Sequence, residues 1–440
     1  MKKNYIKTII LFPLLLTLFS CNSNKEYITL PDLYNFSLKE AKLEMGTDLL
    51  FEEEKVPTSE LVEGRILSFG NNLKPGDKVE KGTRVKINVA KRSDNSITLN
   101  NDLVDYISQI GMITGPNSIN SEMLLTSGVK GTDLGIPFTL PDGKMMLLYG
   151  DSFSGDNMKG LWNSNFMAIS SDNKLSDGLS FDRIVTNDIG GAKPFAQGKH
   201  QSDNELDKNV EVTKIPTGGI SIGENVYIFY MSIRYWGVGG SWLVTYNQCL
   251  KAKDNTYQEF EEVKGLRWND DELYYAGQIY PFNNPQDEEH IYFTSIPGGR
   301  NDGAIMFRVD KDKFENKSEY EYLVSKDKWV KGDEGIKSLN NTPYYVFSPS
   351  VAEPSIMYSE YLGKWIYSTL RGTNIVFATS DKVEGPYKDI YQVVRASDFS
   401  GLYGGFINNA YTDTNGQRIY IQLSQWVPTY NTSLVEVVLK

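Results

Sequence analysis

The stretch Thr132-Asp133-Leu134-Gly135-Ile136-Pro137-Phe138-Thr139-Leu140, followed by Pro141-Asp142-Gly143 and then Lys144-Met145-Met146-Leu147-Leu148-Tyr149-Gly150-Asp151, reads as two strands about a tight turn. Pro-Asp-Gly favours a three-residue loop. Antiparallel pairing that sets Leu140 opposite Lys144 then sets Asp133 opposite Asp151. Directly opposed residues hold their Cβ atoms roughly 4.5–5.5 Å apart, and two like charges at that distance cost stability unless chemistry uses them or a cation offsets them. A pair of carboxyls is the equipment of glycoside hydrolysis.

The unit recurs along the chain. Comparable hairpins are expected at Lys214–Arg234, Gly277–Ser295, Glu353–Arg371 and Tyr403–Trp426, each with an apolar, aromatic second strand such as Val226-Tyr227-Ile228-Phe229-Tyr230 or Trp365-Ile366-Tyr367. Third strands are expected at Asn165–Ser170, Trp242–Tyr246, Ala304–Val309, Asn374–Ser380 and Ser433–Leu439, and fourth strands near Phe181, Tyr257, Tyr320 and Tyr387. Five sheets of about four strands read as an all-β, five-bladed β-propeller. The fifth sheet runs out of chain at Lys440, so its outer strand is expected upstream of Asp133, between Leu99 and Thr126, with Ser121–Thr126 as the candidate.

Composition agrees with a large extracytoplasmic β protein. The 27 Tyr, 20 Phe and 38 Gly suit short strands and tight turns. A net charge of −11 argues against a nucleic-acid-binding surface, and two His with two Cys leave little for a zinc site or a histidine-based triad. At the N-terminus, Met1-Lys2-Lys3 is a basic start, Ile9–Phe19 an apolar run too short for a settled membrane span, and Leu18-Phe19-Ser20-Cys21 a cleavage point. This resembles a bacterial lipobox. The resemblance implies removal of residues 1–20 and lipidation of Cys21, with residues 21–27 as a tether to a membrane. Cys249 is then left without a partner and is expected to be a buried strand thiol.

Residues 28–90 read as a separate small α+β module. Ser37-Leu38-Lys39-Glu40 is a capping box, Leu38, Ala41 and Met45 form an apolar stripe, and Gly46 ends the helix. Strands at Gly64–Phe69 and Thr83–Val89 follow, in a β-α-β-β order. Leu30-Pro31-Asp32-Leu33, Ser37-Leu38-Lys39-Glu40-Ala41 and Pro75-Gly76-Asp77-Lys78-Val79-Glu80-Lys81-Gly82-Thr83 resemble the PASTA family across nearly its whole length. Some members of that family contact peptidoglycan; a single copy behind an anchor equally reads as a spacer. Residues 91–98 read as a linker.

Residues 99–440 resemble a propeller family long labelled a domain of unknown function and associated with bacterial endo-D-arabinanases. The motifs that carry this are Gly131-Thr132-Asp133-Leu134-Gly135, Leu148-Tyr149-Gly150-Asp151-Ser152-Phe153, Ile215-Pro216-Thr217-Gly218-Gly219 and Ala352-Glu353-Pro354-Ser355. The resemblance implies a glycosidase that cleaves D-arabinofuranosyl linkages of an arabinan-type polysaccharide.

From the residues alone, the same register rule puts Asp133/Asp151, Lys214/Arg234, Gly277/Ser295, Glu353/Arg371 and Tyr403 or Gly404 with Trp426 or Gln425 around one mouth of a funnel. Asp133, Asp151 and Glu353 are the candidate catalytic acids, with Asp133 the better base or nucleophile and Asp151 or Glu353 the general acid. Lys214, Arg234, Arg300, Arg371, Tyr403, Asn408 and Trp426 are the candidate substrate-binding residues. The chemistry requires no cofactor and no catalytic metal, although the acidic ring leaves room for a structural cation. Alternatives stay open. Strand-end aspartates often cap turns, Glu353/Arg371 can be a structural ion pair, and Trp236, Trp242 and Trp426 are more often core than sugar platform. The same ring also suits a non-catalytic glycan-binding propeller, or a hydrolase of L-arabinan or another furanoside.

Overall fold

The computed structural model describes residues 25–58, 61–92, 95–156, 158–411 and 416–440, which divide into two compact units. The expected signal segment and Cys21 lie outside the described residues. No described helix is long and apolar enough to cross a membrane.

The smaller unit comprises residues 25–56 and Glu63–Lys91. Strand β1 (Tyr27–Thr29) pairs with β4 (Lys78–Glu80), and β2 (Leu50–Pro57), β5 (Arg84–Lys91) and β3 (Ile66–Phe69) form a sheet in that order. The helix α1 (Leu38–Met45) has both arms of its capping box, with Ser37 Oγ accepting from the Glu40 amide at 3.2 Å and Glu40 Oε2 accepting from the Ser37 amide at 2.6 Å. Leu30, Leu33, Ala41, Ile66, Val85 and Ile87 fill its core. The charged run Phe51-Glu52-Glu53-Glu54-Lys55 hides β2 from a periodicity reading, because both faces of that strand are largely wet.

The larger unit is mostly β. After β6 (Ile97–Thr98), β7 (Val104–Met112) and the short helix α2 (Ser121–Thr126), the chain forms its first sheet from β8 (Gly131–Thr139), β9 (Met145–Phe153), β10 (Trp162–Asn163), β11 (Phe166–Ser170) and β12 (Arg183–Ile184). The second sheet is β13 (Thr213–Ile222), β14 (Asn225–Tyr235), β15 (Leu243–Ala252) and β16 (Phe260–Asn269). The third is β17 (Gln278–Asn284), β18 (Asp287–Ile296), β19 (Ile305–Asp310), β20 (Glu321–Ser325) and β21 (Lys328–Lys331). The fourth is β22 (Ser355–Ser359), β23 (Lys364–Arg371), β24 (Asn374–Ser380) and β25 (Asp389–Val394). The fifth contains β26 (Leu402–Ile407), β27 (Arg418–Gln425) and β28 (Asn431–Leu439), and it is completed by β7 and β6 from the start of the unit. Each sheet's first strand touches the next in cyclic order, β8 to β13 to β17 to β22 to β26 and back to β8.

The upstream strand expected for the fifth sheet is therefore present, but it is Val104–Met112 and not Ser121–Thr126, which is helical. Ser121-Glu122-Met123-Leu124-Leu125-Thr126 buries only Leu124 fully and lacks the alternation of a sheet strand. The inner and middle strands are almost wholly buried, and large rings pack on the sheets: Phe293 stacks on Phe307 of the neighbouring strand at 4.8 Å, and Trp268 and Trp365 are fully enclosed. Cys249 lies buried in β15 as a free thiol, as the sequence suggests.

Candidate active site

The first hairpin keeps the expected pairing at both ends: Thr139 faces Met145, and Thr132 faces Ser152. Between them Leu134 and Gly135 take left-handed φ angles of 67° and 71°, and the register slips and recovers. Asp133 thus sits in a bulge beside the Asp151 end of β9, with its carboxyl laid over Gly150. A Cβ on Gly150 would lie 2.3 Å from Asp133 Oδ1, and one on Gly135 would lie 2.4 Å from Gln422 Oε1, so neither site admits a side chain without displacing its neighbour. Holding Leu134 in the left-handed region costs about 1–2 kcal/mol, strain of the kind that collects at working sites.

Burial raises the Asp133 pKa to about 6. Hydrogen bonds from Tyr403 (2.7 Å to Oδ2) and Tyr430 oppose that rise, while the Glu353 charge adds to it. Asp151 is pushed further, to about 8, again chiefly by burial and also by the Asp133 charge. Its Oδ1 accepts from Thr213 Oγ1 at 2.6 Å and from Trp162 Nε1 at 2.7 Å. Both donors converge on one oxygen, and the other is left to carry the proton. Burial thus holds both carboxyls towards the protonated form, Asp151 more strongly than Asp133.

Glu353 approaches from the start of the fourth sheet, itself at a φ of 42°. Arg300 donates through Nε (3.0 Å) and Nη2 (2.7 Å) to Glu353 Oε1, and the Glu353 amide donates to Gln278 Oε1 at 3.0 Å. Glu353 Oε2 is buried with no partner among the described residues. The Arg300 guanidinium lies between two rings, 5.1 Å from the centroid of Trp242 and 5.4 Å from that of Tyr403. Asp133, Asp151, Glu353, Arg300, Tyr403 and Trp426 all line one cleft of about 470 Å³, with Trp162, Trp236, Trp242, Gln278 and Tyr430. Among the described residues no group of three or more His, Cys, Asp or Glu is placed to hold a metal ion.

Four expected site residues lie elsewhere, and register explains three of them. The second hairpin turns on two residues between Ile222 and Asn225, and Pro216–Gly218 bulge, so Lys214 faces Ser232 instead of Arg234. Lys214 pairs with Glu211 at 3.7 Å and lies over the Tyr230 ring, and Arg234 is tied to Asp270 at 3.0 Å and to the Val244 carbonyl. In the fourth sheet Ser355 faces Ser368, one step from the expected register, which turns Arg371 to the other face, where it donates to the Pro349 carbonyl at 2.8 Å. Glu353 pairs with Arg300 in its place. Asn408 is enclosed at the far end of β26, its amide nitrogen against Met145 Sδ at 3.4 Å. In the third hairpin Ser295 faces Ile279 and Gln278 faces Ile296, so Gln278 and not Gly277 reaches the cleft.

Reading by register missed Thr213, Trp162, Gln278 and Tyr430. Trp162 carried the clearest signal, an isolated tryptophan next to the acid hairpin; its ring stacks on His200 at 3.9 Å and on Phe153 at 5.8 Å. Trp426, a candidate substrate-binding residue, and Trp236, for which a core position was the commoner reading, are 56% and 37% exposed at the cleft.

The family model described as a domain of unknown function, DUF4185, matches residues 118–436, which takes in nearly all of the five sheets. The chain belongs to the DUF4185 family. It is also similar to notoamide biosynthesis cluster protein J of Aspergillus sp. (strain MF297-2), 27% identical over 322 residues that cover 70% of this chain and 82% of that protein. A solved structure of a candidate hydrolase from Bacteroides ovatus superposes with a TM-score of 0.51 at 11% identity, covering 78% of this chain and 97% of that one, and so shares the fold of this DUF4185 member. An arabinanase of Bacillus subtilis gives a TM-score of 0.38 at 10% identity, covering 70% and 96%.

Proposed function

We propose that this DUF4185 protein is a five-bladed β-propeller glycoside hydrolase that cleaves D-arabinofuranosyl linkages within an arabinan-type polysaccharide. The observation that carries the reading is the pairing of Asp133 and Asp151 in one tryptophan-lined cleft, with burial, and the Asp133 charge on Asp151, setting their pKa values apart. In this reading Asp151 protonates the departing glycosidic oxygen, and ionised Asp133 attacks the anomeric carbon or takes the proton of an attacking water. Glu353, fixed by Arg300, stabilises the cationic sugar in the transition state through its free oxygen. The choice of D-arabinose rests on the motifs around Asp133 and Asp151 that resemble the endo-D-arabinanases. Lipidation at Cys21 would hold the enzyme on a membrane, and the PASTA-like module would act as a spacer that is able to meet peptidoglycan.

Incubation with arabinogalactan and, separately, with L-arabinan tests the proposal. Oligosaccharides released from the first, and lost on Asp133→Asn, are the expected result. Release from L-arabinan alone would transfer the assignment to that sugar, and release from neither would leave a glycan-binding protein.

A further inference from the structure

Trp236 and Trp426 stand apart from the other described tryptophans of the larger unit: they are the exposed ones, and they line the cleft that holds the acids. They also occupy equivalent places. Trp426 directly follows β27, the second strand of the fifth sheet, and Trp236 directly follows β14, the second strand of the second sheet. Asp151 lies at the same end of β9, the second strand of the first sheet. Because β8 touches β26 on one side and β13 on the other, the first sheet lies between the fifth and the second. The two indoles therefore flank the Asp133/Asp151 pair along the rim.

Each ring is backed by protein. Trp426 rests on Gly401 (φ 64°), where a Cβ would come within 3.0 Å of its indole nitrogen and 2.6 Å of Val427 Cγ2, and its amide donates to the Gly401 carbonyl at 3.0 Å. Trp236 meets Trp242 edge to face at 6.3 Å, and Trp242 is covered by the Arg300 guanidinium that holds Glu353. Gly237, Gly239 and Gly240, at φ angles of 61°, 62° and 79°, turn this loop tightly against Arg300. A rigid, half-open aromatic face beside an acid pair suits the C–H face of a sugar ring.

We propose that the cleft binds an extended furanoside chain that crosses Asp133 and Asp151 from Trp426 on one side to Trp236 on the other, with sugar rings stacked on both indoles and the cleaved bond between them. This deepens the glycoside hydrolase reading and rests on it. It assigns the polymer preference to two side chains that perform no proton transfer.

The test uses the full chain with Trp236→Ala, Trp426→Ala and the corresponding Phe variants, each checked for native melting, on a long arabino-oligosaccharide and on a short chromogenic arabinofuranoside. Each Ala variant is expected to lose about tenfold more kcat/KM on the long chain than on the short substrate, mainly through KM, and Phe should restore most of it. Equal losses on both substrates, or none on either, would overturn the proposal. If wild type cleaves neither, affinity electrophoresis of Asp133→Asn in arabinogalactan separates the two ideas. Retardation lost on Trp236→Ala and on Trp426→Ala sustains the chain-binding track without the chemistry, and retardation that is absent or indifferent to both substitutions removes the track.

Discussion

Asp133 and Asp151 carry carboxyls that the fold holds nearer neutrality than water would, and this fixes the sign of two pH effects. Activity needs Asp133 ionised and Asp151 protonated, so kcat/KM should follow a bell with limbs near about 6 and about 8. A profile flat across that interval would separate the pair from the chemistry. For stability, both folded pKa values lie above the unfolded value, so the native state binds more protons over that interval. The contribution is complete below about pH 4 and is lost as pH rises through about 6 and then about 8. Asp133→Asn and Asp151→Asn should each lower turnover by 10²-fold or more, roughly the span of general acid–base catalysis, while raising the melting temperature at pH 8 by several degrees. Trp162→Phe keeps the stacking face on His200 but removes the N–H on Asp151. That hydrogen bond favours the charged form, so its loss should move the basic limb of the bell upward, and an unmoved limb would make Trp162 a packing residue only. These two acids were legible in the sequence because one short turn fixes their hairpin register. Thr213 and Tyr430 were not, since their reach to the acids depends on contacts between sheets.

A single step of strand register decides which side chains enter the cleft. Alternation along the hairpins located the first three strands of each sheet, yet it misplaced Lys214, Arg234 and Arg371, because a bulge or a shorter turn reverses the face on which a residue lies. Where the register held, the outcome still depended on glycine. Gly150 gives the Asp133 carboxyl its seat, and Gly135 completes the left-handed pair that lifts Asp133 out of the ladder. Gly150→Ala should therefore displace Asp133 and lower kcat about as severely as removing the carboxyl, with the far-UV spectrum kept. Gly143→Ala, at a turn with open space around it, should cost stability alone, about 1 kcal/mol or somewhat more for its φ of 83°. Comparable activity in the two variants would refute the special role of the bulge. Arg300 could be found only as a loop residue within reach of the mouth, because its pairing with Glu353 joins two loops far apart in sequence.

At the scale of the molecule, the candidate residues that line the cleft all lie in the larger unit. A chain starting at Arg92, which retains the Arg92–Asp105 ion pair (3.2 Å), should cleave a soluble oligosaccharide at close to the full rate. A chain starting at Ile113 lacks β7 and should lose both activity and its cooperative melting transition. Loss of activity in the first chain would place the small module in the reaction. The capped helix of the smaller unit was readable in the sequence, whereas the identity of the closing strand was hidden, since β28, the long partner of Val104–Met112, lies at the other end of the chain. That arrangement carries a consequence for biogenesis. About three hundred residues separate β7 from β28, which at roughly 5–20 residues per second is tens of seconds of synthesis. During that interval β7 has only the two-residue β6 to pair with, and the fifth sheet cannot be completed. The larger unit is thus unable to complete its fifth sheet on a partly made chain.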